Sequence, residues 1–201
     1  MTSAFTFRDW DEAYREVPPW DVGRPQPAFE TLVHDGEIQS GRVLDAGCGT
    51  GENALMLAKN GCDVAGIDLV EHAIGIARSK SAKRHIPALF MAGNALDLDQ
   101  FFDERSFDTV IDSGLFHALS DEERTVYARQ VVWVLKPGGS FFMLCFSDKE
   151  PGDWGPRRIS RREIEETFGW LFRINYIKES FFLSRTHNGR PQAYLLSATK
   201  A

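Results

Sequence analysis

The stretch Val43-Leu44-Asp45-Ala46-Gly47-Cys48-Gly49-Thr50-Gly51-Glu52 decides the fold of this chain. It opens inside a short apolar run, residues 42–46 (RVLDA), which reads as a buried strand. Glycines at alternate positions follow, and then a helical pattern over residues 52–60 that Gly61 closes. Strand, glycine loop and helix in that order place a ligand at the carboxyl end of the strand, where glycine lets backbone approach closer than a Cβ would allow. The alternation continues downstream with a strand over residues 63–68, a helix over 70–84 and strands over 88–91 and 109–112. Ser120 and Glu123 form a capping box for a helix over residues 121–134. The turn Lys136-Pro137-Gly138-Gly139 then leads into an apolar strand over residues 140–146. Strands that alternate with helices of this length specify an α/β fold with a doubly wound parallel sheet.

Both ends of the chain differ from this middle. Ser160 and Glu163 cap a helix reaching about residue 168, and two β-type runs, 171–186 and 191–199, flank His187-Asn188-Gly189-Arg190. Asn-Gly between apolar runs is a hairpin signal because both residues tolerate positive φ, so the parallel sheet is expected to finish in an antiparallel hairpin. At the other end, Phe7, Trp10, Tyr14 and Val17 recur at helical spacing and form one aromatic stripe of a helix docked on the core. The Pro-rich residues 18–27 separate that piece from the body.

Length and composition narrow the function. At 201 residues, against roughly 150 for a typical domain, the chain reads as a single domain over residues 1–201, with a core over 40–200. Hydrophobic residues at 43% and charged residues at 26% are ordinary globular values and exclude wholesale disorder. A net charge of −6 argues against a nucleic-acid partner, which would need a surplus of Lys and Arg. The local cluster Arg157, Arg158, Arg161 and Arg162 reads as a solvated face. Arg24 and Arg157 could each meet an anionic substrate. Cys48, Cys62 and Cys145 cannot pair fully and follow no metal-ligand spacing, so a reduced cytoplasmic protein without a metal is expected. The charged N-terminus lacks the apolar stretch of a secretory peptide, and no apolar run approaches the ~20 residues that span a bilayer. No membrane partner is expected, and the working expectation, which composition does not itself supply, is a monomer or weak homodimer with a small-molecule substrate.

The loop also indicates the cofactor. Asp68, at the end of the second strand, is placed to accept both hydroxyls of a ribose, so a nucleoside-containing cofactor is expected over the first two strands. A dinucleotide fold wants G-x-G-x-x-G with a pyrophosphate on the helix N-terminus. Here the glycines are Gly47, Gly49 and Gly51, and Glu52 puts an anion where the pyrophosphate would lie. Asp45 suits a cationic group such as an amino-acid ammonium or a sulfonium, or it could bond the amides of the loop itself. Cys48 reads as a small filler between glycines.

VLDAGCGTG, then GID, then Phe107-Asp108 ahead of a strand, then LKPGG, together resemble the class I S-adenosylmethionine-dependent methyltransferases over essentially residues 40–200. The resemblance implies a Rossmann-like, mostly parallel seven-stranded sheet, with S-adenosylmethionine as cofactor and S-adenosylhomocysteine as product. It implies that Gly47 and Gly49 pack against the methionine part and that Asp68, with Leu69 beside it, holds the ribose. Asn94 and Ala95 would flank the adenine, and Asp112 and Ser113 would border the reactive methyl. Trp10…Tyr14…Pro19-Trp20-Asp21-x-Gly23-x-Pro25-x-Pro27 is similar to the opening of the thiol, halide and thiopurine methyltransferase group, where it forms an aromatic lid. That implies a lid over residues 1–27, with Trp10 and Trp20 on the cofactor. The DSGLFHAL stretch over residues 112–119 and Gly155-Pro156…Ile159-Ser160 are similar to that group too. Asp45-Ala46 departs from the Pro-Gly-Cys form of the plant halide enzymes, which bears on the substrate and not on the cofactor.

A thiol is the expected acceptor, with a hydroxyl or ring nitrogen of an aromatic heterocycle, phenol or quinone-like compound as the alternative. His117 stands just past the fourth strand, as a general base or as a packing histidine. No Asn/Asp-Pro-Pro-Tyr follows that strand, so a nucleobase amino group is not expected. A nicotinamide-dependent oxidoreductase is disfavoured by Glu52 and the terminal hairpin, and a cofactor-binding protein without catalysis by the intact loop.

Overall fold

A computed structural model describes residues 7–186 and 189–201, with the side chains of residues 7–9 left out. Seven strands form one sheet in the order β3-β2-β1-β4-β5-β7-β6. The strands are β1 (Arg42–Ala46), β2 (Asp63–Asp68), β3 (Leu89–Ala92), β4 (Phe107–Ser113), β5 (Leu135–Phe146), β6 (Phe172–Phe181) and β7 (Gln192–Lys200). β1 pairs in parallel with β2 and β4, and β2–β3 and β4–β5 are parallel as well. β7 runs antiparallel between β5 and β6. β1 is buried from Val43 to Ala46, as a central strand covered on both faces must be. Sheet order reverses between β1 and β4, and that reversal opens the crevice at their carboxyl ends.

Alternating side chains send each strand's apolar residues to two cores. Leu44, Val110, Phe141 and Leu196 point to the face covered by α5 (Asp121–Val134) and α6 (Arg161–Phe168). Val43, Ile111, Phe142 and Leu195 point to the face covered by α2 (Pro27–His34), α3 (Glu52–Lys59) and α4 (Glu71–Arg84). Both capping boxes form. Ser120 and Ser160 each accept the amide three residues on, and Glu123 and Glu163 reach back to the cap amides. A short helix α1 (Phe7–Ala13) precedes the body.

Three expectations are corrected, and one helix is new. The aromatic stripe does not reach Val17, which is 62% exposed, because α1 ends at Ala13, ahead of residues that Pro18 and Pro19 push out of the helical region. Lys136-Pro137-Gly138-Gly139 belongs to β5 as an outward excursion: the pairing jumps from Phe107↔Leu135 to Thr109↔Ser140, with Asp108 holding Lys136 Nζ at 2.7 Å. The terminal hairpin forms as expected, with a bulge between Ile174 and Tyr176, but its strands pair only to Phe181↔Gln192, short of residue 186. Two further bonds, Phe182 N–H to the Pro191 carbonyl and Ser184 N–H to the Gly189 carbonyl, carry it onward irregularly, while His187 and Asn188 lie outside the described residues. Finally, α2 has no counterpart in the sequence reading, although Pro27 at its first turn is a start signal.

The aromatic contacts under α5 and α6 join the two helices to the sheet. Phe141 is fully buried and its ring centroid lies 5.2 Å from that of Phe168 and 5.7 Å from that of Phe172. Phe141→Ala is expected to destabilise the fold by about 3–5 kcal/mol, measured from urea unfolding.

Candidate functional site

The glycine loop leaves β1 and is tied at once to β2. Gly47 and Cys48 both donate to the Ile67 carbonyl, at 2.9 and 3.0 Å. The Gly49 amide donates to one oxygen of Asp68 at 2.8 Å, and the Val70 amide to the other at 3.0 Å. Two glycines are sterically required. Gly47 has φ +71° and a Cβ there would stand 2.9 Å from Leu115, while Gly49 has φ +52° and a Cβ would stand 2.7 Å from the Tyr14 hydroxyl. Asp68 therefore holds the loop while each of its oxygens keeps acceptor capacity. Burial raises its carboxyl above the usual range, and the Val70 and Gly49 amides offset part of that rise.

Two more carboxylates lie beneath the loop. Asp45 on β1 is fully buried and both its oxygens lack a hydrogen-bond partner, the nearby Ala54 amide only partly offsetting its shift. Burial, then Asp112, then Asp68 raise its carboxyl to about 8. Asp112, on neighbouring β4, is fully buried too, and burial raises it to about 7. Its oxygens accept the amides of Leu115 at 2.8 Å and Phe116 at 3.1 Å. Asp112 thus fixes the turn after β4, with its carboxylate directed at those amides. The hydroxyl of Tyr127 on α5, fully buried and without a partner meeting full hydrogen-bond geometry, completes this cluster, and burial pushes it far above the ordinary phenol range.

The next strand ends sit side by side. Gly93, after β3, donates to the Asp68 carbonyl at 2.9 Å. Asn94 accepts the Leu96 amide at 3.0 Å and caps a short 3-10 turn, Ala95–Gln100, in which Ala95 is buried. Leu69 is 39% exposed, unusual for a leucine between a strand and a helix. Asp68, Leu69, Asn94 and Ala95 are therefore brought together on one rim.

The N-terminal segment covers the loop. Tyr14 is buried over Gly49, Trp20 Nε1 donates to the Tyr14 hydroxyl at 3.2 Å, and the Trp10 ring meets Trp20 edge-on at 5.6 Å. Thr50 donates to Asp21 at 2.9 Å and accepts from Lys80 at 2.7 Å. Gln26 pairs with the backbone of Leu183 through both side-chain atoms, and the Arg185 amide and guanidinium bond the carbonyls of Pro19 and Asp21. Glu52 is no bare anion. It is bonded to Lys80 at 2.9 Å and to both terminal nitrogens of Arg84, which hold its carboxyl below the usual range against the opposing effect of burial. The case against a pyrophosphate rests on Asp45 and not on Glu52.

Past the end of β4, His117 lies in the turn Phe116–Ala118 with its ring 4.9 Å from Phe146 and 5.6 Å from Phe182. Its Nδ1 accepts the Phe146 amide at 3.0 Å. Burial, then the charges of Arg124 and Arg158, lower its imidazolium to about 3. It is neutral at every working pH, and the lone pair it would use as a base at Nδ1 is occupied. The arginine cluster is committed elsewhere: Arg157 to Asp121 and Glu163, Arg158 to the carbonyls of Glu150, Trp154 and Pro156, Arg161 to the Ile177 carbonyl, Arg162 to Glu166. Cys48 is buried, and burial followed by Asp45 pushes its thiol up, as suits an inert filler.

The profile of the methyltransferase-domain family matches residues 43–139, from β1 through the β5 excursion. A 2-heptyl-1-hydroxyquinolin-4(1H)-one methyltransferase of Mycobacteroides abscessus is 36% identical over 153 residues, covering 74% of this chain and 66% of that protein. A probable thiol methyltransferase of Arabidopsis thaliana is 30% identical over 159 residues, covering 78% of this chain and 70% of that one. A solved structure from work on conversion of a disulfide bond into a thioacetal group during echinomycin biosynthesis superposes with TM-score 0.87 at 35% identity, over 97% of this chain and 93% of that one. The chain belongs to the class I S-adenosylmethionine-dependent methyltransferases. It is an enzyme that uses S-adenosylmethionine and methylates a small molecule.

The crevice fits that cofactor. An unpartnered, fully buried Asp45 beside two further carboxylates asks for a positive group, and the methyltransferase cofactor carries an ammonium and a sulfonium. Sequence reasoning missed Tyr127, Thr50 and Lys80. The first was hidden because α5 is recognisable while its rotation onto Asp112 is not; the others act only through the chain that folds back on them.

Two outcomes test the site. Hydrogen bonds to a charged partner contribute about 1.5–3 kcal/mol, so Asp68→Ala in this methyltransferase is expected to weaken S-adenosylmethionine binding roughly 10- to 150-fold by calorimetry. With Asp45 raised to about 8, the folded chain at neutral pH keeps a proton that the unfolded chain releases, so this group's contribution to stability falls as pH rises through that window. Without cofactor, Asp45→Asn is expected to match the wild type only below about pH 3.5, under the unfolded carboxyl's own pKa of ~3.9, and to exceed it increasingly from there toward about pH 8, read from urea midpoints.

Proposed function

We propose that this methyltransferase acts on the sulfur of a small thiol. The observation that carries the reading is the chemistry of the turn after β4. Its two ionisable side chains, Asp112 and His117, are both committed to backbone amides, and His117 is neutral. A thiol with a pKa near 8.5 reaches the crevice partly ionised and needs little help from a base, whereas an aliphatic alcohol or an ammonium would need a positioned one. Two comparisons support sulfur: the plant relative is named for thiols, and the disulfide-to-thioacetal conversion is sulfur chemistry. A second reading is favoured by the hydroxyquinolone methyltransferase of Mycobacteroides abscessus and by the aromatic walls Phe146, Phe182 and Trp154. In it, the acceptor is an acidic hydroxyl on a flat heterocycle.

The cofactor, when bound, supplies a methyl on a sulfonium, and displacement by a thiolate returns the bond's electron pair to the donor sulfur. The protein's part is alignment and exclusion of water, worth about 7–11 kcal/mol in favourable intramolecular cases. In this reading residues 1–27, of which 1–6 lie outside the described residues, act as a lid of one domain spanning 1–201, with Trp10 and Trp20 over the cofactor. Asp45 faces its ammonium, Asp68 and Leu69 its ribose, and Asn94 and Ala95 its adenine. The protein works in the cytoplasm as a monomer or weak homodimer, without a nucleic-acid or membrane partner. Among the described residues no helix is long and apolar enough to cross a membrane.

An acceptor panel read by S-adenosylhomocysteine formation tests this. With thiols of graded pKa, kcat/KM is expected to rise about tenfold per pH unit below the acceptor's own pKa and to level off there, the plateau moving with each acceptor. A profile that stays put when the acceptor changes overturns the thiol reading.

A further inference from the structure

The turn that carries His117 is held more firmly than packing alone requires. Asp112 accepts the amides of Leu115 and Phe116, Arg124 Nε donates to the Phe116 carbonyl at 3.3 Å, and Phe146 donates its amide to His117 Nδ1. With Nδ1 occupied as an acceptor, the single ring hydrogen of neutral His117 sits on Nε2. The imidazole is thereby fixed in one tautomer.

The edge of the ring that carries this hydrogen faces Gly114, the residue that follows β4. A Cβ built on Gly114 would lie 3.2 Å from Cε1 and 3.3 Å from Nε2, and Gly114 itself has φ +97°. Among the described residues no acceptor meets Nε2. His117 as a whole is half-buried. Its ring is flanked by those of Phe146 and Phe182, and the N–H is free to donate to an incoming acceptor. The surrounding charges favour an anionic one. Arg124 from α5 is buried with Nη2 unpartnered while its Nη1 pairs with Asp121 at 3.3 Å and Glu163 at 3.5 Å, and Arg158 stacks on Phe146 with its guanidinium carbon 5.4 Å from the ring centre. Both oppose protonation of His117 and both attract negative charge. The carboxylate nearest in sequence, Asp112, is turned to the turn's own amides.

We propose that His117 is the residue that selects an ionised acceptor, its Nε2–H donating a hydrogen bond to the thiolate sulfur and favouring thiolate over thiol in the bound state. The inference rests on the thiol reading of the site. His117 neither gains nor loses a proton in the reaction: the thiol's proton leaves to solvent before transfer. A general-base histidine would need a free lone pair and a pKa near the working pH, and His117 has neither.

The direct test reads ionisation of a bound acceptor, independent of turnover. A chromophoric aryl thiol is titrated in the complex of the full chain with S-adenosylhomocysteine, following thiolate absorbance. In the wild type the bound thiol is expected to ionise about one pH unit or more below the free thiol. His117→Gln, whose amide can accept from Phe146 and still donate, is expected to retain much of the shift. His117→Phe, which fills the space without a donor, is expected to lose it, with S-adenosylhomocysteine affinity by calorimetry serving as the control for folding. A wild-type bound thiol that ionises at the same pH as the free one overturns the proposal without recourse to any variant. So does a His117→Phe protein that binds S-adenosylhomocysteine and retains the full shift. If the panel accepts a hydroxyquinolone and no thiol, the thiol reading fails separately. The same titration on that hydroxyl then decides whether His117 donates.

Discussion

The bond from the Gly49 amide to the Asp68 carboxylate is the constraint on which the rest of the site depends. It draws the glycine loop against the end of β2, and the second oxygen of the same carboxylate starts α4 through Val70. With the loop held there, Gly49 becomes the seat of Tyr14, and Tyr14 becomes the hinge of the aromatic cluster with Trp20 and Trp10. Replacing either glycine by a residue with a Cβ would push the loop away from β4 or from the N-terminal segment. One carboxylate at one strand end thus organises loop, helix start and cover together.

The same region concentrates buried carboxyl groups. Asp45, Asp68 and Asp112 stand at the ends of three adjacent strands, and burial raises all three carboxyls. Asp112 recovers part of the cost by bonding amides, and Asp68 does likewise. Asp45 does not, and leaving a buried polar group unpaired costs about 1–3 kcal/mol. Such an expense is usual at functional sites, where a ligand supplies the missing partner. The ligand in this family carries its positive charge on sulfur and nitrogen, which is the complement of a buried acid and the opposite of a pyrophosphate.

Across the crevice the chemistry changes from acidic to neutral and aromatic. His117, Phe146, Phe182 and Trp154 pack ring against ring, and Arg158 holds the loop beside them by bonding its carbonyls. Rings packed in this way exclude water. In the proposed function this face takes the acceptor.

The order of elements was legible in the sequence because it depends on local pattern. Val43-Leu44 and the glycines after them, the two Ser-x-x-Glu boxes and the strand-helix alternation each act within a few residues, and β1, β2 and α5 fall on residues 42–46, 63–68 and 121–134 as read. Asp68 and the glycines were readable for the same reason, since a strand end and a loop place them whatever lies far away. What only the tertiary structure decided involves contacts between distant segments. The rotation of α5 sets Tyr127 beside Asp112. The return of the N-terminal segment puts Asp21 on Thr50 and pairs Gln26 with Leu183. The register of β5 brings the Phe146 amide to His117. No periodicity encodes those meetings, because they are fixed by how two buried faces pack and not by the sequence on either side. The protonation and tautomer of His117 are set by a backbone amide 29 residues away and by burial that only the folded chain creates.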